Sequence, residues 1–404
     1  MSSRIKTIDD FDVKGKTTLV RVDFNSPVDL ETKRLLDDSR IKAHAETILT
    51  LSNRGARVVI MAHQGRLGDP DFTTLKQHAE ILSKIINKDV KYVDDVFGEK
   101  AEKAIKMLKN GEILVLENVR VVPEEVVEKP PEDLAKLVFI QKLSSLADLF
   151  VNDAFGAAHR AHASIVGFAY NLPACAGRIM EREIKALTKV STTPEKPCIY
   201  ILGGEKVKDS FSVIEYILGQ GVANSVLTGG LVACTLLLSE GVDLGDGSVK
   251  VMESKGVIDL LPKGRSLLEK FAGKIKLPTD VALNVAGKRV EVEVDELPSE
   301  HPISDVGSKT AEAYVSEIKA AKSIVFNGPL GICELEPFKK GTHVILEGVA
   351  ASKAYSVAGG GHTTAVIQDL GFADKISYIS TGGHALIQFL TGKKLPGVEA
   401  LKGK

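Results

Sequence analysis

The segment TLVRVDFNSPV, Thr18–Val28, alternates the polar Arg21, Asp23 and Asn25 with the apolar Val20, Val22 and Phe24. Successive side chains of a strand point to opposite faces, so the pattern puts a guanidinium, a carboxylate and an amide on one face and an apolar row on the other. Pro27 then ends ladder hydrogen bonding. A buried strand running out into polar groups suits the carboxyl edge of a parallel sheet, where open α/β folds bind ligands. A local Arg–Asp pair is the simpler reading of these residues alone, and the rest of the chain decides between the two.

Outward from this segment, short apolar runs alternate with amphipathic helical ones. Asp38 and Ser39 can cap a helix that carries Ile41, Ala45, Ile48 and Leu51 inward and stops at Gly55, after which residues 56–61 read as a buried strand. The alternation continues with a helix over 74–86, a strand over 90–93, a helix over 99–108, a strand over 112–117, a helix over 131–147 and a strand over 149–152. Such a rhythm implies a mostly parallel sheet covered on both faces. It breaks at Asn171–Pro173 and at the polar helical stretch 181–188, and resumes with strands at 198–202, 225–227, 324–326, 356–358 and 376–379. The expected fold is therefore α/β, with two doubly wound, Rossmann-like domains joined by a hinge helix. The boundary is set between 174 and 175, giving a domain 1–174 and a second part, 175–390, that holds the hinge helix and the other sheet.

The 404 residues are 44% apolar and 26% charged with a net charge of −1, which suits a soluble globular protein and excludes a whole-surface field for nucleic acid or anionic membrane. The chain has no Trp, so a stacking platform for single strands is also excluded. Met1–Asp12 lacks a basic start followed by an apolar stretch, and the strongest apolar run, Leu231–Leu238, is too short to span a bilayer. A cytosolic protein is expected. Cys175, Cys198, Cys234 and Cys333 match no metal-binding spacing and read as buried, reduced core residues.

The two halves differ in chemistry. In the first, cations recur at strand ends: Arg21, His63 and Arg66 in AHQGR (62–66), and Arg120 in LENVR (116–120). Arg40 opens the first helix, and NDAFGAAHRAHAS (152–164) supplies His159, Arg160 and His162. Strand ends on one edge of a parallel sheet converge, so these residues imply one basic pocket for a multiply anionic small ligand, which Arg binds bidentately. In the second half, strands end in glycine turns that open helices: LGGEK (202–206), TGG (228–230), NGPLG (327–331), GGGHTT (359–364) and STGGH (380–384). Glycine lets backbone approach phosphate, and helix N-termini present free N–H groups, so this edge reads as a nucleotide surface. No P-loop pattern occurs, and the nearest dinucleotide pattern, GQGVAN (219–224), follows a helix. A polyanion on one domain and a nucleotide on the other suggest phosphoryl transfer across a closing cleft, by positioning and charge neutralisation without a covalent nucleophile.

Taken in order, these motifs, with DSRI (38–41), Asn327–Glu334 and the tail LPGV (395–398), resemble phosphoglycerate kinases over essentially the full chain. The resemblance implies reversible transfer between 1,3-bisphosphoglycerate and ADP, giving 3-phosphoglycerate and ATP with Mg2+, and a tail, 391–404, that returns to the first domain. It assigns Arg21, Asp23, Asn25, Arg40, His63, Arg66, Arg120 and Arg160 to the glycerate substrate. Gly203, Gly204, Lys206, Gly229, Asn327, Pro329, Glu334, Gly360, Gly361, His362 and Thr363 fall to the nucleotide, with Glu334 on the ribose. Arg40 and Lys206 are the expected catalytic pair, flanking the transferred phosphoryl. A monomer is expected, with a dimer as the alternative, and no nucleic acid or membrane partner.

Ser210 stands where most bacterial and eukaryotic members carry a second lysine, and His362 where they carry an aspartate near magnesium. Both, with the His-Gln-Gly segment, resemble the archaeal branch. Glu205 and His384 also replace smaller residues. The metal ligand is left unassigned, and Lys208 is the candidate for the second positive charge if its turn points inward. Two other readings compete: a kinase of another small carboxylate, and a two-lobed sensor of a phosphorylated metabolite.

Overall fold

The computed structural model describes residues 4–403; Met1–Ser3 and Lys404, which the expected first domain and its tail include, lie outside the described residues. Two compact units divide the chain, one running to Ile184 and regaining the residues from Lys394 onward, the other Lys185–Lys393.

The first unit is built on six parallel strands: β1 (Thr17–Arg21), β2 (Arg57–Met61), β3 (Val90–Tyr92), β4 (Ile113–Val115), β5 (Leu149–Asn152) and β6 (Ala174–Ala176), in the order β3-β4-β2-β1-β5-β6. Alternation sorts their side chains between two cores. Val20, Val58, Ile60, Val115 and Val151 pack with Ile41, Ile48 and Leu51 of helix Ser39–Asn53 and with Leu82 of helix Lys76–Ile86. Leu19, Val59, Met61, Leu114 and Phe150 face Ile105, Phe139, Ile140, Leu143 and Phe168 on the opposite side. Burying each such side chain contributes about 1.5–3 kcal/mol, so a one-residue slip in register, which would exchange the faces, is strongly opposed. Val22 and Phe24 continue the first core beyond the end of β1.

The second unit repeats the architecture with β7 (Cys198–Leu202), β8 (Ser225–Thr228), β9 (Ile275–Lys276), β13 (Ser323–Asn327), β14 (Tyr355–Gly359) and β15 (Tyr378–Ser380), ordered β15-β14-β13-β7-β8-β9 and all parallel. Counted within the unit this is the 3-2-1-4-5-6 order of dinucleotide-binding folds, with its switch point between β7 and β13. A separate antiparallel sheet, β11-β10-β12, comprises β10 (Asp280–Val285), β11 (Lys288–Glu293) and β12 (Ile303–Val306).

Three sequence expectations are corrected. The expected helix over 131–147 is two, Pro131–Leu134 and Val138–Ser145, because Leu137 between them takes an extended backbone. The units divide between Ile184 and Lys185, inside helix Arg178–Ser191, and not at 174/175, because β6 pairs with β5 and keeps residues 175 and 176 in the first sheet. The chain returns to the first unit from Lys394, not 391. The antiparallel sheet is an addition to the two parallel sheets.

Candidate functional site

In the first unit a 250 Å³ pocket opens where β1 and β5 diverge, the switch point of that sheet. Asp23, Asn25, Arg40, His63, Arg66, Arg120 and Arg160 all line it, with His159 and His162. Arg21 does not. Its side chain is 1% exposed and lies beneath the pocket, where Nε donates to Ser164 Oγ at 2.8 Å, one terminal nitrogen to Val22 O and the other to His63 Nδ1 at 3.1 Å.

Several of the pocket residues are held by specific contacts. Arg40, at the start of helix Ser39–Asn53, meets Asp23 Oδ2 at 2.5 Å. Burial alone would raise the Asp23 carboxyl, but the surrounding groups, Arg40 foremost and then His63, His44 and Arg21, together outweigh it and hold it at about 2. Asn25 Oδ1 accepts the Gly65 N–H at 2.8 Å, and Arg120 donates to Gly65 O, so two pocket residues clamp the turn that presents His63 and Arg66. That turn requires glycine: Gly65 has φ +63°, and a Cβ there would fall 2.6 Å from the backbone of Asp71. His159 Nδ1 donates to Gly156 O at 3.0 Å, which leaves Nε2 to accept Arg160 Nε at 3.1 Å and aim that guanidinium.

The pocket has excess positive charge and an unmet donor. Arg120 Nε is buried with no hydrogen-bond partner among the described residues. Burial, then the charges of Arg21 and Arg160, lower the Arg120 guanidinium to about 10. The same causes, burial first and then Arg120, Arg21 and Arg160, bring His162 down to about 3. An anion in the pocket would offset the positive charge that depresses these groups. An adjoining 860 Å³ hollow shares Arg66, Arg120, His159, Arg160 and His162, and adds Lys129, an apolar wall of Val122, Pro123 and Val126, and Pro396 from the tail.

In the second unit, the turns after β7 and β13 lock together. Gly203 N donates to Asn327 O at 3.1 Å and Gly204 N to Pro329 O at 2.7 Å. A Cβ on Gly203 would lie 2.2 Å from Pro329 O, so only glycine permits this approach. Beside it a 380 Å³ cavity has an apolar wall of Leu231, Leu237, Val281, Val306 and Leu330 and a polar mouth of Glu205, Lys255, Glu334 and His362. An apolar slot with few polar groups suits a planar base.

Of the expected nucleotide residues, Gly204, Pro329, Glu334 and His362 line this cavity. Gly203 and Gly229 are buried at close backbone approaches, and Thr363, fully buried, accepts the Gly328 N–H at 2.9 Å, so it braces the turn. Asn327 ends β13, while Gly360 and Gly361 open helix Gly361–Asp369. Lys206 is exposed at the N-cap of helix Val207–Gly219. Ser210 is 3% exposed within that helix, and Lys208 is exposed without lining the cavity. The lysine at the mouth is Lys255, paired with Glu205 at 2.5 Å, a residue that sequence reasoning missed because it lies 50 positions from its partner. His384 Nδ1 is 4.0 Å from Asp209 Oδ2.

Sequence reasoning also missed the layer beneath the first pocket. Glu125, fully buried, accepts from Ser164 Oγ at 2.6 Å and Ser164 N at 2.7 Å. His44 Nε2 accepts the Asp23 N–H, and His44 Nδ1 meets Asp153 Oδ2. Neither carboxylate carries a local signal, since each partner is distant in sequence.

The sequence profile of the phosphoglycerate kinase family matches residues 8–393. A phosphoglycerate kinase of Methanobacterium bryantii is 50% identical over 401 residues, covering 99% of this chain and 98% of that one. The crystal structure of phosphoglycerate kinase from Pyrococcus horikoshii OT3 superposes with a TM-score of 0.90 at 42% identity, covering 98% of each chain. The phosphoglycerate kinase structure from Coxiella burnetii gives 0.83 at 31% identity, covering 98% of this chain and 99% of that one.

Proposed function

The chain belongs to the phosphoglycerate kinase family and resembles its archaeal members, and from that premise we propose how its own residues divide the reaction. The activity is phosphoryl transfer between 1,3-bisphosphoglycerate and ADP, giving 3-phosphoglycerate and ATP. The first unit's pocket takes the glycerate. The observation that carries this reading is the convergence of four guanidinium groups, those of Arg40, Arg66, Arg120 and Arg160, around one 250 Å³ pocket. Asp23 and Asn25 serve it by holding Arg40 and the Gly65 turn. Arg21 serves from below.

The second unit's cavity takes the nucleotide: the apolar slot receives the base, Glu334 the ribose, and the glycine turns after β7 and β13 the phosphates. Arg40 and Lys206 act on the transferred phosphoryl group, neutralising charge as it moves. Among the described residues no group of three or more His, Cys, Asp or Glu could hold a metal. A magnesium ion carried in on the nucleotide phosphates would supply neutralisation of charge on the phosphate oxygens. Of the carboxylates at the cavity mouth, Glu205 is engaged by Lys255 and Glu334 is 64% exposed, so either would meet such an ion at its periphery.

No helix among the described residues is long and apolar enough to cross a membrane. The four cysteines are buried and unpaired, which accords with a reducing cytoplasm. A coupled assay tests the reading: turnover is expected with ATP and 3-phosphoglycerate and not with unphosphorylated glycerate. Arg120→Met should weaken 3-phosphoglycerate binding and leave ADP binding unchanged. Equal turnover of both acids, or loss of ADP binding in the variant, would overturn the assignment.

A further inference from the structure

Arg21 is fully buried and does not reach the pocket, yet it forks between His63 and Ser164 directly below it. We propose that Arg21 is a positioning residue that fixes His63 as the Nε2–H tautomer, so that the pocket meets its substrate there with a neutral imidazole donor. This rests on the assignment of the pocket to the glycerate substrate.

The proton count leaves one solution. A guanidinium has five N–H donors and no acceptor, so the nitrogen it meets at 3.1 Å, His63 Nδ1, must contribute a lone pair. An imidazole with Nδ1 bare carries its proton on Nε2. Arg21 cannot turn away, because Nε is engaged by Ser164 Oγ and a terminal nitrogen by Val22 O. Ser164 is polarised in turn: its hydroxyl donates to Glu125 Oε1 and its N–H to Oε2, which leaves an oxygen lone pair for Arg21. Glu125, 0% exposed, is the counter-charge that keeps the guanidinium buried.

The groups facing His63 are Arg21, Asp23, Arg120 and His162, and burial followed by Arg21 lowers its basicity well below the ordinary value. Protonation would set a cation against Arg21 at hydrogen-bond distance. His63 is thereby excluded as a general base, since its only lone pair is occupied. It reads a substrate acceptor, a hydroxyl or carboxylate oxygen, through a donor whose strength does not change with pH across the working range.

The test needs no substrate at first. In the full-length protein labelled with 15N in its histidine rings, the His63 signals, identified by their loss in His63→Gln, are expected to show a bare Nδ1 and a protonated Nε2 from pH 5.5 to 8. In Arg21→Lys, which keeps a cation near Glu125 but cannot fork to both partners, the signals should move toward a mixture of tautomers. KM for 3-phosphoglycerate should rise about tenfold, with a smaller change in kcat. Binding to His63→Gln, whose amide can place N–H at the ε position, should exceed binding to His63→Asn at least tenfold. A protonated Nδ1 in the unaltered protein, or an unchanged His63 spectrum in Arg21→Lys, would overturn the proposal. Correct tautomers with no 3-phosphoglycerate binding would instead overturn the substrate assignment.

Discussion

The Asp153 carboxylate stands 2.7 Å from His44 Nδ1, while its other oxygen accepts the Ile179 N–H at 2.8 Å and the Met180 N–H at 3.3 Å. The far nitrogen of His44 accepts the Asp23 N–H at 3.1 Å, so His44 must donate from Nδ1 to Asp153. One buried carboxylate thus joins the first turn of helix Arg178–Ser191 to the backbone beneath the substrate pocket. Its position also satisfies helix N-terminal donors that would otherwise be orphaned.

Removing it should therefore cost more than one hydrogen bond. Asp153→Ala leaves three buried donors unmet, and at about 1–3 kcal/mol each the first unit should lose at least about 3 kcal/mol of stability. Asp153→Asn keeps one carbonyl acceptor, which can serve the helix or His44 but not both, so its loss should be smaller. Urea unfolding followed by circular dichroism measures the difference. Equal stability of Asp153→Ala and the unaltered chain would show that water replaces the carboxylate at no cost.

Much of this site was legible in sequence because its chemistry is local. Arg21, His63, Arg66, Arg120 and Arg160 each sit at or just past the end of a β-strand or in a short loop, and an apolar strand followed by a cation is visible in a window of ten residues. Glu125 was not legible: in the run Pro123–Val126 it resembles a surface charge, and only the folded chain brings Ser164 to it from 39 positions away. β6 escaped because three small residues after Pro173 carry no periodicity, and β11 because Lys288–Glu293 alternates charge with valine on an exposed edge. Arg21 was located correctly on its strand but one layer too shallow. Strand alternation gives a side chain's face and not its depth.

Three histidines of the first unit should set its acid sensitivity. Burial, chiefly, holds His78 at about 4 and His162 at about 3, and pushes His63 well below 6.5. Such groups are neutral when folded and take up protons on unfolding below pH 6.5, so the stability they contribute is present above that pH and is lost as pH falls. Each approaches a slope of about 1.4 kcal/mol per pH unit toward pH 5. Asp305 in the second unit has the opposite sign: burial raises it to about 6 despite Arg289 2.7 Å away, so its contribution weakens as pH rises from about 4 to 6. His78→Leu isolates one proton from this sum. The variant's unfolding free energy between pH 6.5 and 5 should fall less steeply by about one proton, and an unchanged slope would show that His78 is already protonated when folded.

Arg160 should be dispensable for folding and costly for binding. It lines the pocket and its Nε is engaged by His159 Nε2, which turns the terminal N–H groups to the task of meeting an anion. Arg160→Ala removes charge-assisted hydrogen bonds worth about 1.5–3 kcal/mol, a ten- to hundredfold loss of 3-phosphoglycerate affinity by calorimetric titration. His159→Ala, which frees the guanidinium without deleting it, should lose less. Unchanged affinity in a folded Arg160→Ala would remove that residue from the site.

Arg40 and Lys206 offer the sharpest kinetic discrimination. Arg40 is fixed by an ionised Asp23 at 2.5 Å, and Lys206 stands exposed at a helix N-terminus beside the glycine turn after β7. If both neutralise charge on the same moving phosphoryl, Arg40→Met and Lys206→Ala should each lower kcat about a hundredfold or more, as when a transition-state donor is deleted. Lys206→Ala should keep much of its ADP affinity, since the cavity wall, Glu334 and the backbone turns still hold the nucleotide. Residues acting on one transition state are usually non-additive, so the double variant should lose clearly less than the product of the single losses. Strictly multiplicative losses would mean that the two side chains anchor separate ligands. Normal turnover with poor ADP binding in Lys206→Ala would confine that lysine to nucleotide capture, and Arg40 would then be left as the only one of the two acting on the transferred group.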